Sequence, residues 1–288
     1  MEEVFQKLKR IGEVELGHAP VVVGVMKSLS IHEAKRAKES GAAVIELRID
    51  LLENEEKNMG KVKEFVTMLK NFQSSVQMPI IVTNRKKEEG GSFVGTEAKR
   101  IGMLNSILET AEVDAVDIEF FSPAELKKMI IEKAKSLHIP VIFSFHDFKG
   151  MPSREDLLAI IARMYEEGGS IAKIAVTPKT PSDALLLLAL THKVSSEGKL
   201  LVTIGMGPVG RHLRVIAPLY GSALTYGFME GEEGVAPGQF SVKELRNMLL
   251  KIQWNFEQTT NEKIPNPKHQ ITNKSKYLNS KFKTKRKV

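Results

Sequence analysis

The sequence predicts a closed barrel of eight parallel strands ringed by helices, a (β/α)₈ fold (TIM barrel), and three observations lead there. Apolar strand-like runs recur eight times, a helical pattern follows each, and successive runs start 23 to 36 residues apart, room for one strand, one helix and two short loops. Strands that alternate with helices pair in parallel, and eight such units close the sheet on itself. A doubly wound open sheet is the alternative arrangement of the same units.

Each element carries its own signal. After a short N-terminal lead, run 21–26 is apolar throughout, as a strand covered on both faces should be, and a helix is expected at 31–40. In run 44–50, Ile45, Leu47 and Ile49 alternate with Glu46, Arg48 and Asp50, so the period of two sends three charges to one face. A face packed on helices does not tolerate three charges, which puts them in the barrel mouth. A helix at 60–72 leads to run 79–85, which ends Thr83-Asn-Arg85 and continues into Lys86-Lys-Glu-Glu89-Gly-Gly91. Beyond helix 96–110, run 115–120 carries Asp117 and Glu119. Helices 123–137 and 153–167 begin at Ser122-Pro-Ala-Glu125 and Ser153-Arg-Glu-Asp156, each a hydroxyl followed by acids in the first turn. Between them, run 140–147 ends Ser144-Phe-His146-Asp147. Run 170–178 precedes helix 181–195, and run 200–207 precedes a glycine-rich turn and a helix at 210–219. Run 223–228 is followed by the loop 232–239 and a helix at 241–252.

Composition sets the class. Hydrophobic residues make up 42% and charged residues 27%, ordinary for a soluble globular protein. The absence of cysteine excludes disulfides and thiolate-held metal, which fits a reducing cytoplasm. The lead is studded with charges and no later segment approaches about eighteen apolar residues, so neither a secretory signal nor a membrane span is expected. The protein reads as cytoplasmic. Its net charge of +7 is confined to one end: residues 263–288 hold nine Lys/Arg and no acid, leaving 33 basic against 35 acidic residues in 1–262, a net of −2. The expected division is therefore a barrel at 1–255 and a basic tail at 256–288 whose polar, Pro/Asn/Lys-rich composition argues for disorder.

The segment Ile171-Ala-Lys-Ile-Ala-Val-Thr-Pro178 encloses Lys173 among small and branched apolar residues. Burial there pushes an ammonium toward the neutral amine, which can attack a carbonyl and form a Schiff base. The plainer alternatives are a lysine snorkelling at a strand edge or paired with a carboxylate. In the same way, Glu46, Arg48 and Asp50 could be a structural ion cluster and His146 a satisfied core histidine. Glu46, Arg48, Asp50 and His146 fall at the C-terminal ends of strands, where such a barrel does its chemistry. A buried lysine facing a histidine, with arginines to hold an anion, describes a proton-transfer site built on an imine.

The motifs Glu46-x-Arg48-x-Asp50, Thr83-x-Arg85-x-x-x-Glu89-Gly-Gly, Ser144-x-His146-Asp-Phe, Lys173-Ile-Ala-Val-Thr-Pro, Met206-Gly-x-x-Gly-x-x-x-Arg214 and Ala236-Pro-Gly-Gln239 follow in order over residues 20–252. Together they resemble type I 3-dehydroquinate dehydratase. The resemblance implies an enzyme without metal or other cofactor, usually a homodimer, that removes water from 3-dehydroquinate in the shikimate pathway to aromatic compounds. It implies Lys173 as the Schiff-base lysine, His146 as general acid/base and Glu89 as the carboxylate that orients the histidine. Arg214 and Gln239 match groups that hold the substrate carboxylate and the mobile lid. Glu46, Arg48, Arg85 and Met206 match pocket positions, largely those around the substrate hydroxyls.

Two positions depart from the family pattern. Val235 stands where the lid commonly carries a substrate-touching serine, and Gly205 stands where a serine commonly precedes the methionine, a swap expected mainly to loosen the turn. The tail has no counterpart in the single-domain enzyme. Among rival functions, another class I imine enzyme such as an aldolase would want a phosphate site in the last two loops, whereas Arg214 and Gln239 suit a carboxylate. A silent barrel used for binding is disfavoured by the retained lysine, histidine and orienting acid. Nucleic acid is an unexpected partner, because the charge that would draw it sits in the tail.

Overall fold

The computed structural model describes residues 9–71, 76–109 and 113–252. The tail expected at 256–288 lies outside the described residues, as do the last residues of the helices expected at 60–72 and 96–110. Two short strands, β1 (Arg10–Ile11) and β2 (Val14–Glu15), make an antiparallel hairpin. Eight more pair in parallel: β3 (Val22–Met26), β4 (Val44–Arg48), β5 (Ile80–Thr83), β6 (Ala115–Glu119), β7 (Val141–Asp147), β8 (Ile171–Val176), β9 (Leu201–Gly205) and β10 (Thr225–Phe228). Their order is β10-β3-β4-β5-β6-β7-β8-β9. The seam between β9 and β10 is joined by a bridge of Leu201 to Ser222, by the Ala223 amide donating to Leu201 O at 2.8 Å, and by the Ser222 hydroxyl accepting from the Thr203 amide at 2.9 Å. This is the (β/α)₈ barrel that the sequence predicts.

The ring of helices comprises α1 (Ile31–Ser40), α2 (Met59–Lys70), α3 (Glu97–Leu108), α4 (Ala124–Ser136), α5 (Arg154–Glu166), α6 (Pro181–Ser196), two single turns α7 (Gly207–Gly210) and α8 (Leu213–Ile216), and α9 (Val242–Ile252). Their apolar stripes cover the outward strand residues in one continuous core. A second core fills the barrel floor, where Val44, Ile81, Ala115, Ile142, Ile171 and Val202 point inward. Two residues further along β4 to β8 the inward side chain changes character, to Glu46, Thr83, Asp117, Ser144 and Lys173, whereas β9 continues with the apolar Ile204. The register sets Thr83 beside Asp117 and Ser144 beside Lys173, while Glu46 lies level with Ile81 and Asp117 with Ile142, so the polar positions step around this side of the barrel above an apolar floor. The hairpin closes the apolar end, with Ile11 and Leu16 buried in the floor core. Gly12, at φ +54, makes its tight turn, a conformation that glycine adopts without penalty.

Four local expectations need correction. Run 44–50 stops being strand at Arg48, and Asp50 sits on a 3₁₀ turn, Ile49–Leu51. The helix expected at 210–219 is broken into α7, α8 and the 3₁₀ turn Ala217–Tyr220, with Pro208 and Pro218 each at the start of a turn, where a missing N–H does no harm. Ser122 does not cap α4, whose N-cap is Pro123; its hydroxyl instead accepts from Arg100 Nη2 at 3.0 Å. Ser153 does cap α5, accepting from the Asp156 amide at 3.1 Å. Finally, Gly205 does not loosen its turn, since a Cβ there would run into the Gly210 carbonyl. The glycine lets the end of β9 and the end of α7 touch backbone to backbone.

Candidate active site

The inward face of β8 carries Lys173 to the level where the floor gives way to charge, and the side chain is 5% exposed. It is both buried and paired: Nζ donates to Asp117 Oδ2 at 2.8 Å and lies 3.7 Å from Glu46 Oε1. Asp117 is in turn held by Arg85 Nη2 at 2.8 Å and the Ser144 hydroxyl at 2.6 Å. Arg85 Nη1 reaches Glu119 at 3.0 Å, and Glu119 pairs with Arg100 of α3 at 2.6 Å. Charges alternate along this chain, Lys173, Asp117, Arg85, Glu119, Arg100, so each buried ion has an opposite neighbour. Burial pushes the Asp117 carboxyl up, yet Arg85 and Lys173 hold it well below the usual carboxylate range. Glu46 accepts from the Thr83 hydroxyl at 2.8 Å, and Arg48 grips Asp50 with two hydrogen bonds of 3.0 and 2.8 Å. Asp50 also takes the Arg85 and Ser92 amides, so this pair fastens β4 to the loop after β5.

His146 lies on β7, beside Lys173 and one inward position higher, since Ser144 is the register partner of Lys173. Glu89 Oε2 meets both the His146 amide, at 3.0 Å, and Nδ1, at 2.9 Å. With Nδ1 and the amide engaged by one carboxylate oxygen, the ring is fixed and Nε2 is the nitrogen left for the pocket. Burial, together with the Arg85 and Lys173 cations, holds the imidazole well below its ordinary value, so it is a neutral base at neutral pH. Burial pushes Glu89 up to about 7, against the pull of Arg85 and Lys86. Phe148 stacks near the His146 ring, 6.5 Å between centroids and 16° from parallel, and Gly90 lies so close to Phe148 that a Cβ would collide with it.

The opposite side is built differently. Arg214, 1% exposed on α8, has no carboxylate partner among the described residues: Nη2 reaches the Pro237 carbonyl at 3.4 Å and Nε has no acceptor. Burial, with Arg211 nearby, pushes the guanidinium down to about 10. Gln239 braces the loop after β10, its Oε1 accepting from the Val235 amide at 2.8 Å and its Nε2 donating to Tyr226 O at 3.3 Å. Lys27 meets Glu232 at 2.9 Å and ties the same loop to the end of β3.

All nine residues singled out from the sequence, Lys173, His146, Glu89, Glu46, Arg48, Arg85, Met206, Arg214 and Gln239, line one cavity of about 60 Å³ beneath that loop. Asp117, Glu119 and Ser144, noted in the sequence only as polar strand residues, prove to be the partners that fix Lys173 and Arg85. Tyr226 was missed altogether; its place two residues beyond Leu224 on an inward face was the available signal.

Comparisons with known proteins give the chain a family. The family described as type I 3-dehydroquinase matches residues 19–255. A 3-dehydroquinate dehydratase of Methanococcoides burtonii is 37% identical over 244 residues, 85% of this chain and 99% of its own length. One from Methanosarcina acetivorans is also 37% identical, over 247 residues, 85% of this chain and 100% of its own. The crystal structure of type I 3-dehydroquinate dehydratase from Clostridium difficile, with covalent modified comenic acid, superposes with a TM-score of 0.74 at 30% identity, covering 84% of this chain and 96% of that one.

Proposed function

We infer the reaction from two facts: the chain belongs to the type I 3-dehydroquinase family, and the buried lysine, the oriented histidine and the unpaired arginine open on one cavity. The enzyme removes water from 3-dehydroquinate to give 3-dehydroshikimate through an imine on Lys173. The observation that carries the substrate's orientation is Arg214, a buried guanidinium without a carboxylate, which the carboxylate of the substrate completes with paired hydrogen bonds. With the carboxylate there, the ketone is directed to Nζ across the cavity.

Nζ hands a proton to His146 and attacks the ketone carbon as the neutral amine; the carbonyl oxygen then leaves as water with that proton and one of the amine's own, which makes an iminium with one N–H. The iminium withdraws electrons from the adjacent carbon, and Nε2 of His146 takes a proton from it to give an enamine. The enamine expels the β-hydroxyl, which leaves as water with the proton that His146 returns. A second water hydrolyses the conjugated iminium and frees the enone and the lysine. Glu89 holds the ring in the tautomer that leaves Nε2 bare. Glu46, Arg48 and Arg85 face the substrate hydroxyls, Met206 packs against its ring, and Gln239 keeps the lid over it. The electrophilic role that a metal plays elsewhere falls to the iminium, so a chelator should leave activity unchanged.

The relative solved with covalent modified comenic acid supports a covalent step. Resemblance to the family supports a homodimer, a cytoplasmic location and a place in the shikimate pathway; among the described residues no helix is long and apolar enough to cross a membrane. Ultraviolet absorbance of the enone, followed with purified protein and 3-dehydroquinate, tests the reaction. Borohydride with substrate tests the imine: the ligand's mass should appear on the peptide bearing Lys173, and mass on another lysine would overturn the mechanism.

A further inference from the structure

Tyr226, on β10, has no part in the chemistry set out for Lys173, His146 and Arg214, yet it touches the reacting atom. Its ring centroid lies 4.1 Å from Lys173 Nζ. The side chain is 4% exposed, lines the cavity, and ends in a hydroxyl with no hydrogen-bond partner among the described residues.

The number of protons on Nζ gives the ring a purpose. An ammonium has three N–H groups, and in the resting pocket they face Asp117 at 2.8 Å and Glu46 at 3.7 Å. When Nζ becomes an iminium, two of those protons leave with the carbonyl oxygen as water and one remains. That single N–H can keep the hydrogen bond to Asp117, which leaves the Glu46 contact without a donor while the positive charge stays. A π face needs no N–H, because it attracts the cation through its quadrupole, and a planar C=N⁺ lies flat on a ring. The hydroxyl has a complementary need. A buried phenol without a partner forgoes a hydrogen bond, and burial, then Glu46 and Asp117, keep it protonated far above its ordinary value, so it can only gain by donating.

Resting on the imine reading, we propose that Tyr226 is a further catalytic residue: its ring face stabilises the positively charged imine on Lys173, and its hydroxyl donates a hydrogen bond to an oxygen of the bound substrate. Charged imine is the form that acidifies the neighbouring carbon, so the ring acts on turnover, whereas the hydroxyl acts on binding.

The two contributions separate in Tyr226→Phe, which removes only the hydroxyl, and Tyr226→Met, which removes the ring as well. Tyr226→Phe should raise KM about fivefold and leave kcat within about threefold of the parent. Tyr226→Met should lower kcat about tenfold further and reduce the share of enzyme captured by borohydride at saturating 3-dehydroquinate. Tyr226→Leu repeats the ring deletion with another shape, and thermal unfolding of each variant shows which are folded, so a folding failure of one leaves the other to decide. A Met or Leu variant with the kcat and capture of Tyr226→Phe overturns the role of the ring. An unchanged KM in Tyr226→Phe overturns that of the hydroxyl. Capture failing in the parent protein as well overturns the imine reading itself, and the proposal with it.

Discussion

The two walls of the cavity are built on opposite principles. On the β4-to-β8 side, Lys173, Asp117, Arg85, Glu119 and Arg100 neutralise one another in an unbroken chain. On the lid side, Arg214 is buried without a counter-charge among the described residues. A wall whose charges are satisfied is set before substrate arrives and would keep Lys173, the proposed nucleophile, in place. A wall with an unmet charge is completed by the substrate. Preorganisation on β4 to β8 and the recognition proposed for α8 and the lid loop thus fall to different parts of one barrel, and the two walls should answer differently to mutation.

The largest effect should belong to Lys173, the proposed nucleophile. Lys173→Ala should abolish turnover and borohydride capture while leaving the barrel folded, measured by enone formation and circular dichroism. Global unfolding would instead make the lysine a structural member of the charged wall. His146→Ala is next: loss of a general base slows chemistry by about 10²–10⁴, while the imine can still form. Mass spectrometry after borohydride should therefore find Lys173 modified in a protein that scarcely turns over.

The walls themselves separate on a third pair of variants. Asp117→Asn leaves Arg85 and Lys173 with surplus buried charge, and breaking such a pair costs about 3–5 kcal/mol, so its unfolding midpoint in urea should fall. Arg214→Met removes a cation that no carboxylate among the described residues pairs, so stability should hold, but KM should rise about a hundredfold as the proposed buried charge pair with the substrate is lost. Equal destabilisation by both variants would erase the distinction between the walls.

The settled wall was partly legible in the sequence and the waiting wall only by resemblance. Alternation in run 44–50 put Glu46 and Arg48 in the mouth, and the same period applied to 115–120 puts Asp117 and Glu119 beside them. What alternation does not carry is pairing across strands. The contacts of Lys173 with Asp117 and of Glu119 with Arg100 join residues 56 and 19 positions apart, and those depend on barrel closure and on α3 crossing behind β6. The hairpin β1–β2 escaped because two-residue strands have no period to read, and its burial comes from plugging the floor. The broken segment after β9 escaped because its apolar residues suit a helix, while Gly207, Pro208, Gly210 and Pro218 divide it into single turns.

A fourth test uses acidity. Asp117 and Arg85 are held far from neutral titration by one another, so this pair should contribute nothing to the pH profile near neutrality. Glu89, pushed up to about 7 by burial, should contribute. Its carboxylate is the form that accepts Nδ1–H and leaves Nε2 basic; once protonated it donates to Nδ1 and the ring proton moves to Nε2. Activity is thus present above about 7 and should fall as pH drops through that value, toward tenfold per unit. Glu89→Gln cannot ionise, so it should lower kcat and remove this limb; a limb that survives belongs to another group.

The smallest effect, and the finest division of the waiting wall, lies in the lid. Gln239 bonds at once to the Val235 amide and the Tyr226 carbonyl, so its side chain joins the loop to β10. Val235 offers the cavity a half-buried apolar side chain where a serine would offer a hydroxyl. One neutral hydrogen bond contributes about 0.5–1.5 kcal/mol, a factor of roughly 2 to 12 in an equilibrium constant. Val235→Ser should therefore lower KM a few-fold, and Val235→Ala should change it little, since most of the cover comes from the loop backbone. Gln239→Ala removes two bonds that shape the loop and should raise KM more than Val235→Ala does. Steady-state kinetics on the three variants settles the order. A silent Gln239→Ala beside a severe Val235→Ala would mean that apolar contact, not the glutamine brace, keeps the lid closed over Arg214.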